Sequence, residues 1–258
     1  MNLFKKILGR RSSGARAEAA PFDAPLAPEK PFFAIGDIHG TLDPFHDLLH
    51  VIEQVDECPT VICVGDYIDR GERSAEILGL LRRLTQEFPD LVFCLRGNHE
   101  QMCIDFLNDP ERSGPRWMRH GGLQTLASYG VAKTPDTTMT DLRDALAEAM
   151  GTGMIAWLES LPTLWQSGNV AVVHAGADPA LPITEQSDKT LMWGHADFHS
   201  VPRQDGIWVV HGHTIVPQPQ ARDGRIAIDT GAYATGTLSG AYICENDLVF
   251  IDQKLKFD

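Results

Sequence analysis

The sequence has few cysteines and no long apolar run. Its five cysteines are odd in number, and none shows the C-x-x-C spacing of a zinc or redox motif. Cys63, Cys94 and Cys244 lie within apolar stretches, where a reduced thiol behaves as a small hydrophobic side chain. No apolar run approaches the ~20 residues that span a bilayer. These absences predict a cytoplasmic protein with reduced thiols and without a transmembrane helix.

Basic residues are also scarce. The chain has 22 Lys and Arg residues against 35 Asp and Glu residues, which gives a net charge of −13 at pH 7. Binding to nucleic acid depends on Lys and Arg side chains that neutralise phosphates, so this charge argues against nucleic acid as the main partner. The length of 258 residues and the apolar fraction of 43% are typical of a globular chain with one large domain.

The first thirty residues differ from the rest. Five basic residues are followed by prolines at positions 21, 25, 28 and 31, which prevent a continuous helix. We interpret residues 1–30 as a disordered basic tail and residues 31–258 as one folded domain. The alternative is a short amphipathic helix around residues 3–8 that makes weak contact with an anionic membrane surface. Isolated helices of two turns are marginal, so the disordered tail is favoured.

Polar motifs follow five short apolar runs. The runs are rich in β-branched or aromatic residues and predict buried strands at residues 32–35, 60–64, 91–95, 170–173 and 207–210. The polar residues that follow them are Asp37, His39, Asp66, Asn98, His99, His174 and His213. In open α/β sheets, ligands bind where the carboxyl ends of strands converge. Five loops distant in sequence are therefore expected to meet around one site.

The side chains at these positions favour a hydrolytic metal centre. Carboxylate, amide and imidazole donors without a thiolate suit manganese, iron or zinc better than a Cys-rich structural zinc site. Two divalent ions roughly 3.5 to 4 Å apart can share one carboxylate and activate a water for an in-line displacement at phosphorus. Asp66 is the candidate for the shared carboxylate.

Five motifs carry a resemblance to a known family. They read GDIHG from residue 36, GDYIDRG from residue 65, LRGNHE from residue 95, HAG from residue 174 and GHT from residue 212. These motifs resemble those of the phosphoprotein phosphatase family, in its bacterial and phage type, within the calcineurin-like metallophosphoesterases. The resemblance extends from about residue 32 to residue 251. It implies an α/β fold with two packed mixed β-sheets, flanking helices and a helical cap segment.

The resemblance also implies roles for individual residues. The ligands of two divalent ions, expected to be manganese with iron or zinc as alternatives, would be Asp37, His39, Asp66, Asn98, His174 and His213. A hydroxide that bridges the ions would attack the phosphate directly. His99 would be the general acid, oriented by Asp69, while Arg70 and Arg96 match arginines that bind the phosphate.

One position departs from the family pattern. Related bacterial and phage phosphatases carry a phosphate-binding arginine two residues after a tryptophan, and this chain has His195 after Trp193. A protonated His195 could donate to phosphate, Arg203 could substitute from the next loop, or the substrate could differ.

Other residues have competing interpretations. Coordination geometry alone cannot separate His211 from His213, and the resemblance favours His213. Asp229 is interpreted as support for a loop rather than as a ligand. Residues 116–153 are predicted to be mainly helical and to form the cap beside the site.

The leading hypothesis is a metal-dependent serine/threonine protein phosphatase acting on a phosphoprotein or phosphopeptide. Asp69 favours this function, because the corresponding motif of symmetrical diadenosine tetraphosphate hydrolases usually lacks the aspartate. Hydrolysis of diadenosine tetraphosphate or another nucleotide is the alternative. A nuclease or cyclic phosphodiesterase is less favoured, because Ile215 occupies the position of a second histidine in those relatives. A metal-bound scaffold that recognises phosphoproteins without turnover is the non-enzymatic alternative.

Overall fold

The computed structural model describes residues 22–55 and 58–255. The basic segment around residues 3–8, with its alternative amphipathic helix, lies outside the described residues. Within the described residues, no helix combines the length and the apolar composition that a membrane span requires.

Two β-sheets form the centre of the described chain. The first has the strand order β10-β9-β1-β2-β3. Strands β1, β2 and β3 are parallel to one another, β9 runs antiparallel to β1, and β10 runs antiparallel to β9. Its strands are β1 (Phe32–Ile35), β2 (Val61–Cys63), β3 (Val92–Cys94), β9 (Ser239–Cys244) and β10 (Asp247–Asp252). The register pairs Phe33 of β1 with Val61 of β2 and with Tyr242 of β9.

The second sheet has the order β4-β5-β6-β8-β7. Its three inner strands are parallel, and an antiparallel strand closes each edge. Its strands are β4 (Leu164–Ser167), β5 (Val170–Val173), β6 (Trp208–His211), β7 (Gln220–Arg222) and β8 (Arg225–Ala227). The five strands predicted from the apolar runs correspond to β1, β2, β3, β5 and β6.

The alternation of side chains along each strand explains how the sheets pack. Phe32 and Ala34 of β1 share one buried cluster with Val172 of β5 and Val210 of β6, so these side chains fill the space between the sheets. Phe33 and Ile35 point to the opposite face and join the cluster formed with the helices. Both faces of β1 are therefore buried, which is why its sequence is continuously apolar. The predicted fold of two packed mixed sheets with flanking helices is confirmed.

Helices cover the first sheet and extend over one end of the molecule. They are α1 (Leu42–Val55), α2 (Ser74–Glu87), α3 (Asn98–Asn108), α4 (Pro110–Trp117), α5 (Leu123–Ser128), α6 (Met139–Met150), α7 (Thr152–Ser160), α8 (Asp188–Trp193) and α9 (Ala232–Thr235). A π-helical turn at Met118–Gly122 joins α4 to α5. The predicted helical segment is thus helical except around residues 129–138. Trp117 is fully buried and packs on Phe106 of α3 at a centroid distance of 4.8 Å, which fixes this cap to the site-bearing helix α3.

The boundary predicted at residue 30 needs correction. Residues 22–30 lie against the second sheet, where the Phe22 ring packs on Trp208 and Leu26 is buried. The Asn169 side chain accepts a hydrogen bond from the Ala27 amide at 2.8 Å and donates to the Pro25 carbonyl at 2.8 Å. The folded domain therefore includes residues 22–30, because their backbone groups bond to the turn between β4 and β5.

We expect Asn169→Ala to lower the free energy of unfolding by about 1 to 3 kcal/mol, because it leaves backbone groups of residues 25–27 without partners. Urea denaturation would measure the change. Gln166→Ala is the control, because the Gln166 amide is exposed and donates only to the nearby Gly168 carbonyl, so its effect should stay within about 0.5 kcal/mol. Equal losses in both variants would show that the Asn169 contacts contribute nothing specific.

Candidate active site

The ends of five strands bring the predicted polar residues together. Asp37 and His39 follow β1, Asp66 follows β2, Asn98 and His99 begin α3 after β3, His174 follows β5, and His213 follows β6. His39, Asp66 and His213 have left-handed backbone conformations, with φ of 45°, 54° and 62°. These conformations are uncommon for residues other than glycine and cluster at functional sites.

Asp66 lies at the centre of the site. Its carboxylate belongs to two groups of potential ligands, one with His39 and His99 and the other with His174 and His213. Asp66 Oδ2 lies 3.5 Å from His39 Nε2, and Asp66 Oδ1 lies 3.3 Å from His174 Nε2. Each carboxylate oxygen therefore faces a different group, which is the arrangement that a carboxylate shared between two ions requires.

The second group also contains an amide oxygen. Asn98 Oδ1 lies 2.9 Å from His174 Nε2, and the rings of His174 and His213 are 5.1 Å apart. The structure thus places His213, and not His211, with Asp66 and His174. The His211 ring packs instead on Phe198 at 5.0 Å.

The hydrogen bonds of the histidines fix which ring nitrogen is available. His39 Nδ1 donates to the Ile68 carbonyl at 2.7 Å, and His174 Nδ1 donates to the Val64 carbonyl at 3.2 Å. In the neutral rings, the lone pairs therefore lie on the Nε2 atoms that face Asp66. Burial lowers the pKa of His39 to about 3 and the pKa of His174 to about 4, which favours these neutral forms.

This arrangement fits a divalent cation. The Nε2 lone pair of His174 faces oxygens of Asp66 and Asn98, so three acceptors converge without a hydrogen between them. The lone pairs of these three acceptors repel one another, and a cation bound between them would remove the repulsion by accepting all three as ligands. Oxygen and imidazole donors suit manganese, iron or zinc.

Asp37 is held beside this centre by the loop that follows β6. Its two carboxylate oxygens each accept from the His213 amide at 3.1 Å. Burial, together with the nearby carboxylates of Asp229 and Asp66, raises the pKa of Asp37 well above its usual range. Asp37 is not a member of either group of potential ligands around Asp66. The Asp229 side chain forms a hydrogen bond with Asp37 and so helps to position it. Several buried carboxylates in close proximity again call for positive charge.

A second set of contacts orients His99. His99 Nδ1 donates to Asp69 Oδ2 at 2.6 Å. The same carboxylate accepts from Trp117 Nε1 at 2.9 Å and from the Thr125 hydroxyl at 2.6 Å. Burial alone would lower the pKa of His99, but the carboxylates of Asp66 and Asp69 outweigh it and raise that pKa. Trp117 and Thr125 were not identified as site residues from the sequence, because they follow Asp69 by 48 and 56 positions.

Glu100 positions the loop that carries Asp66. Its buried carboxylate accepts from the amides of Asp66 and Tyr67 at 2.8 Å and from the amide of Gly97 at 2.9 Å. A Cβ on Gly65 would lie 2.6 Å from the Gly97 amide nitrogen, so only glycine allows the two loops to approach this closely. The LRGNHE motif contained this residue, but its spacing did not reveal this contact.

Arg70 lies at the site, whereas Arg96 does not show the predicted placement. Arg70 Nη2 lies 3.2 Å from His99 Nε2, and the guanidinium stacks over the Tyr233 ring at 4.7 Å. Arg96 instead donates to Gln101 Oε1 and to the carbonyls of Glu159 and Leu161. The prediction that Arg96 binds phosphate is therefore corrected, because its guanidinium fixes the carboxyl end of α7 to α3.

The proposed substitution by Arg203 is also corrected. Arg203 is buried and donates to Asp205 and to the carbonyls of Asp178 and Leu181, so its guanidinium has no free edge for a phosphate. His195 is partly exposed, and its Nε2 lies 3.7 Å from Asp178 Oδ2. Of the two residues, only His195 remains available as a donor to an anion.

The sequence matches known proteins over most of its length. Residues 30–223 match the calcineurin-like phosphoesterase family. The asymmetrical bis(5′-nucleosyl)-tetraphosphatase PrpE of Bacillus velezensis is 26% identical over 248 residues, which are 87% of this chain and 93% of that protein. The PP2A-like serine/threonine-protein phosphatase PPG1 of Candida albicans is 40% identical over 78 residues, which are 30% of this chain and 18% of that protein.

Solved structures with a similar fold also cover most of the chain. The cold-active protein-tyrosine phosphatase of a Shewanella species superposes with a TM-score of 0.57 at 18% identity, over 86% of this chain and 80% of that one. The chain thus covers nearly all of the first relative and less than a fifth of the second.

We expect manganese at about 100 times its Kd to raise the Tm by about 5 to 10 °C, because an ion that binds only the folded state stabilises it by roughly 2.7 kcal/mol. Asp66→Asn should abolish most of this rise, since Asp66 faces both groups of ligands. Differential scanning calorimetry with and without the metal measures the shift. Asp43→Asn, which changes an exposed carboxylate on α1, is the control and should keep the full rise. An undiminished rise in Asp66→Asn would place the metal elsewhere.

Proposed function

The chain belongs to the calcineurin-like phosphoesterase family and is a metal-dependent phosphoesterase, and within that family we propose that it is a serine/threonine protein phosphatase. The single observation that carries this proposal is the buried pair of His99 and Asp69 beside Asp66. Hydrolysis of a phosphoserine or phosphothreonine releases an alkoxide, which is a poor leaving group and needs a proton. His99 is the group that would supply it.

The metal ligands in this proposal are those that converge on the strand ends. Asp37, His39 and Asp66 would hold one ion, and Asp66, Asn98, His174 and His213 would hold the second. We propose manganese as the metal, with iron or zinc as alternatives. Divalent ions bound there supply an activated nucleophile and neutralise charge on the phosphate.

The remaining steps belong to side chains of this protein. Arg70 presents a planar guanidinium beside His99, and paired N–H donors bind and orient phosphate oxygens. The Tyr233 ring packs against one face of that guanidinium. Because Nδ1 donates to Asp69, the proton that a protonated His99 would transfer is the one on Nε2; in the neutral ring, Nε2 accepts from Arg70 Nη2 at 3.2 Å. A carboxylate in this position fixes the tautomer and stabilises the protonated ring.

A second candidate function is hydrolysis of dinucleoside tetraphosphates. The observation that favours it is the alignment with PrpE, which covers 93% of that protein, whereas the alignment with PPG1 covers only 18% of that protein. The leaving group would then be a nucleotide, which departs with less need for a proton than an alkoxide. Membership of an enzyme family favours both of these functions over a scaffold without turnover.

We expect Asp69→Asn to lower kcat for a phosphothreonine peptide by about 100-fold, because His99 loses the partner that keeps it protonated and oriented. The fall for p-nitrophenyl phosphate should be much smaller, since nitrophenolate leaves without a proton. Steady-state kinetics on the two substrates measure the difference, and the aryl phosphate reports whether the variant has kept its metal site. Equal falls on both substrates would contradict the role of His99 as the general acid.

The two candidate functions are separated by measuring, in parallel and with manganese, the release of phosphate from a phosphothreonine peptide and the cleavage of diadenosine tetraphosphate into mononucleotides. For a protein phosphatase we expect a kcat/KM at least tenfold higher on the peptide, because the His99–Asp69 pair supplies the proton that an alkoxide leaving group needs. Asp66→Asn serves as the blank and should show no turnover on either. Preference for the dinucleotide would replace the protein phosphatase proposal with the second candidate.

A further inference from the structure

Two arginines of the described chain are stacked on aromatic rings. The guanidinium of Arg70 lies over the Tyr233 ring, and that of Arg116 lies 4.3 Å from the centre of the Trp193 ring. Stacking uses the flat face of a guanidinium and leaves the N–H donors in its plane free. Arg116 is exposed, and within residues 22–55 and 58–255 its guanidinium forms no hydrogen bond or ion pair. Its donors are therefore available to an anion from outside the chain.

Arg116 lies beside the candidate active site. The next residue, Trp117, donates from Nε1 to Asp69 at 2.9 Å. Four positions after Arg116, His120 donates from Nδ1 to the Arg116 carbonyl at 2.8 Å, and its ring centre lies 6.3 Å from that of His99. The neighbours of Arg116 along the chain thus reach the proposed acid–base pair. Arg116 itself lies about one helical turn before the residue that faces His99.

Trp193 borders the site from the second sheet. It is the last residue of α8, and the carbonyl of Leu191 in the same helix accepts from the Ala175 amide at 2.7 Å. Ala175 directly follows His174, one of the proposed metal ligands. The contact between Arg116 and Trp193 therefore joins α4 to α8 at the edge of the site, and it holds the guanidinium in one place.

A cleft of about 220 Å³ lies next to Arg116, between α3 and α4. Its lining consists of Met102, Asp105, Arg112, Ser113 and Arg116. Arg112 is already paired with Asp109 at 3.0 Å, and the carboxylate of Asp105 accepts from Gln101 at 2.8 Å. Arg116 is thus the unpaired cation of this lining. The volume is below the range of about 300 to 1,000 Å³ that is usual for small-molecule sites, so a single side chain fits better than a nucleotide.

The charge of the whole chain does not decide what binds at this edge. The net charge is −13, but charges more than about 8 Å away are largely screened at physiological salt. A carboxylate beside Arg116 would accept paired N–H groups from one planar donor. Because the Trp193 ring already orients that donor, less freedom is lost when the carboxylate binds.

We propose that Arg116 and Trp193 form a subsite for an acidic side chain, Asp or Glu, of a phosphopeptide substrate. The inference rests on the proposed function as a protein phosphatase and names a substrate class for it. The phosphate would occupy the metal ligands and Arg70 while the acidic side chain binds Arg116. An extended peptide advances about 3.3 Å per residue and one helical turn is about 5.4 Å, so the acid lies within about three residues of the phosphorylated one.

Fluorescence anisotropy of the full chain with manganese tests this subsite. The probes are labelled peptides in which a phosphonate analogue of phosphothreonine resists hydrolysis. One set carries a single Glu at each of the three positions before and after the analogue, and a matched set carries Gln. We expect Glu in at least one position to tighten binding about fivefold over Gln, which is the upper end for an exposed ion pair. Added salt should reduce this preference.

The variants assign the preference to one residue. Arg116→Gln should abolish the preference for Glu over Gln. Arg116→Glu should reverse it, so that a peptide with Lys at the same position binds more tightly than the peptide with Glu. Arg222→Gln is the matched control and should keep the full preference, because Arg222 is an exposed arginine on β7 with Nε 3.2 Å from Asp223.

Two results would overturn the subsite: equal binding of Glu and Gln peptides at every position, or a preference that stays the same in Arg116→Gln. The second result, with all peptides bound more weakly, would show that Arg116 only ties α4 to α8. Hydrolysis of phosphothreonine peptides is measured separately. Turnover without a preference for Glu rejects the subsite alone, Glu-selective binding without turnover rejects the phosphatase function alone, and no binding of any peptide rejects both.

Discussion

The buried carboxylate of Glu100 determines where Asp66 can lie. It accepts the amides of Asp66, Tyr67 and Gly97, so it joins the loop after β2 to the first turn of α3. Burial, reinforced by the nearby Asp66, raises the pKa of Glu100 to about 7. With its amide bound there, Asp66 can keep a left-handed backbone and present one oxygen to each group of ligands. The centre of the site thus depends on a residue that lies outside both groups of potential ligands.

The carboxylates of the site are compensated in two different ways. Asp69 is compensated by protein donors, because His99, Trp117 and Thr125 all bond to it. Asp37 and Asp66 each accept from a backbone amide but also face other carboxylates or imidazole lone pairs, so a cation would complete their compensation. This division would separate the proposed acid–base pair from the proposed metal ligands, although Asp66 Oδ2 and His99 Nε2 are only 3.8 Å apart. It also explains how a chain with a net charge of −13 can bind a phosphate dianion.

Much of the fold could be predicted because strand formation depends on local pattern. The runs that became β1 and β5 were predicted to the residue, since a short continuous apolar run and its neighbouring glycine are encoded locally. Residues 22–30 were misassigned because closely spaced prolines are typical of a disordered linker and equally of an ordered extended segment. Its order comes from Asn169 and Trp208, which are more than 140 positions away. The predicted phosphate contacts of Arg96 and Arg203 were not found for a related reason. Both residues lie in loops of the expected kind, but their guanidinium groups donate to backbone carbonyls distant in sequence.

The sequence by itself determined the donor chemistry of the site and its location at strand ends, because residue type and strand periodicity are local properties. The tertiary structure decided which side chains point inward. It placed His213 rather than His211 beside Asp66, brought Trp117 and Thr125 onto Asp69, and packed the His211 ring on Phe198. Side-chain direction and pairing depend on contacts between residues far apart in the chain, and spacing along one strand carries no information about them.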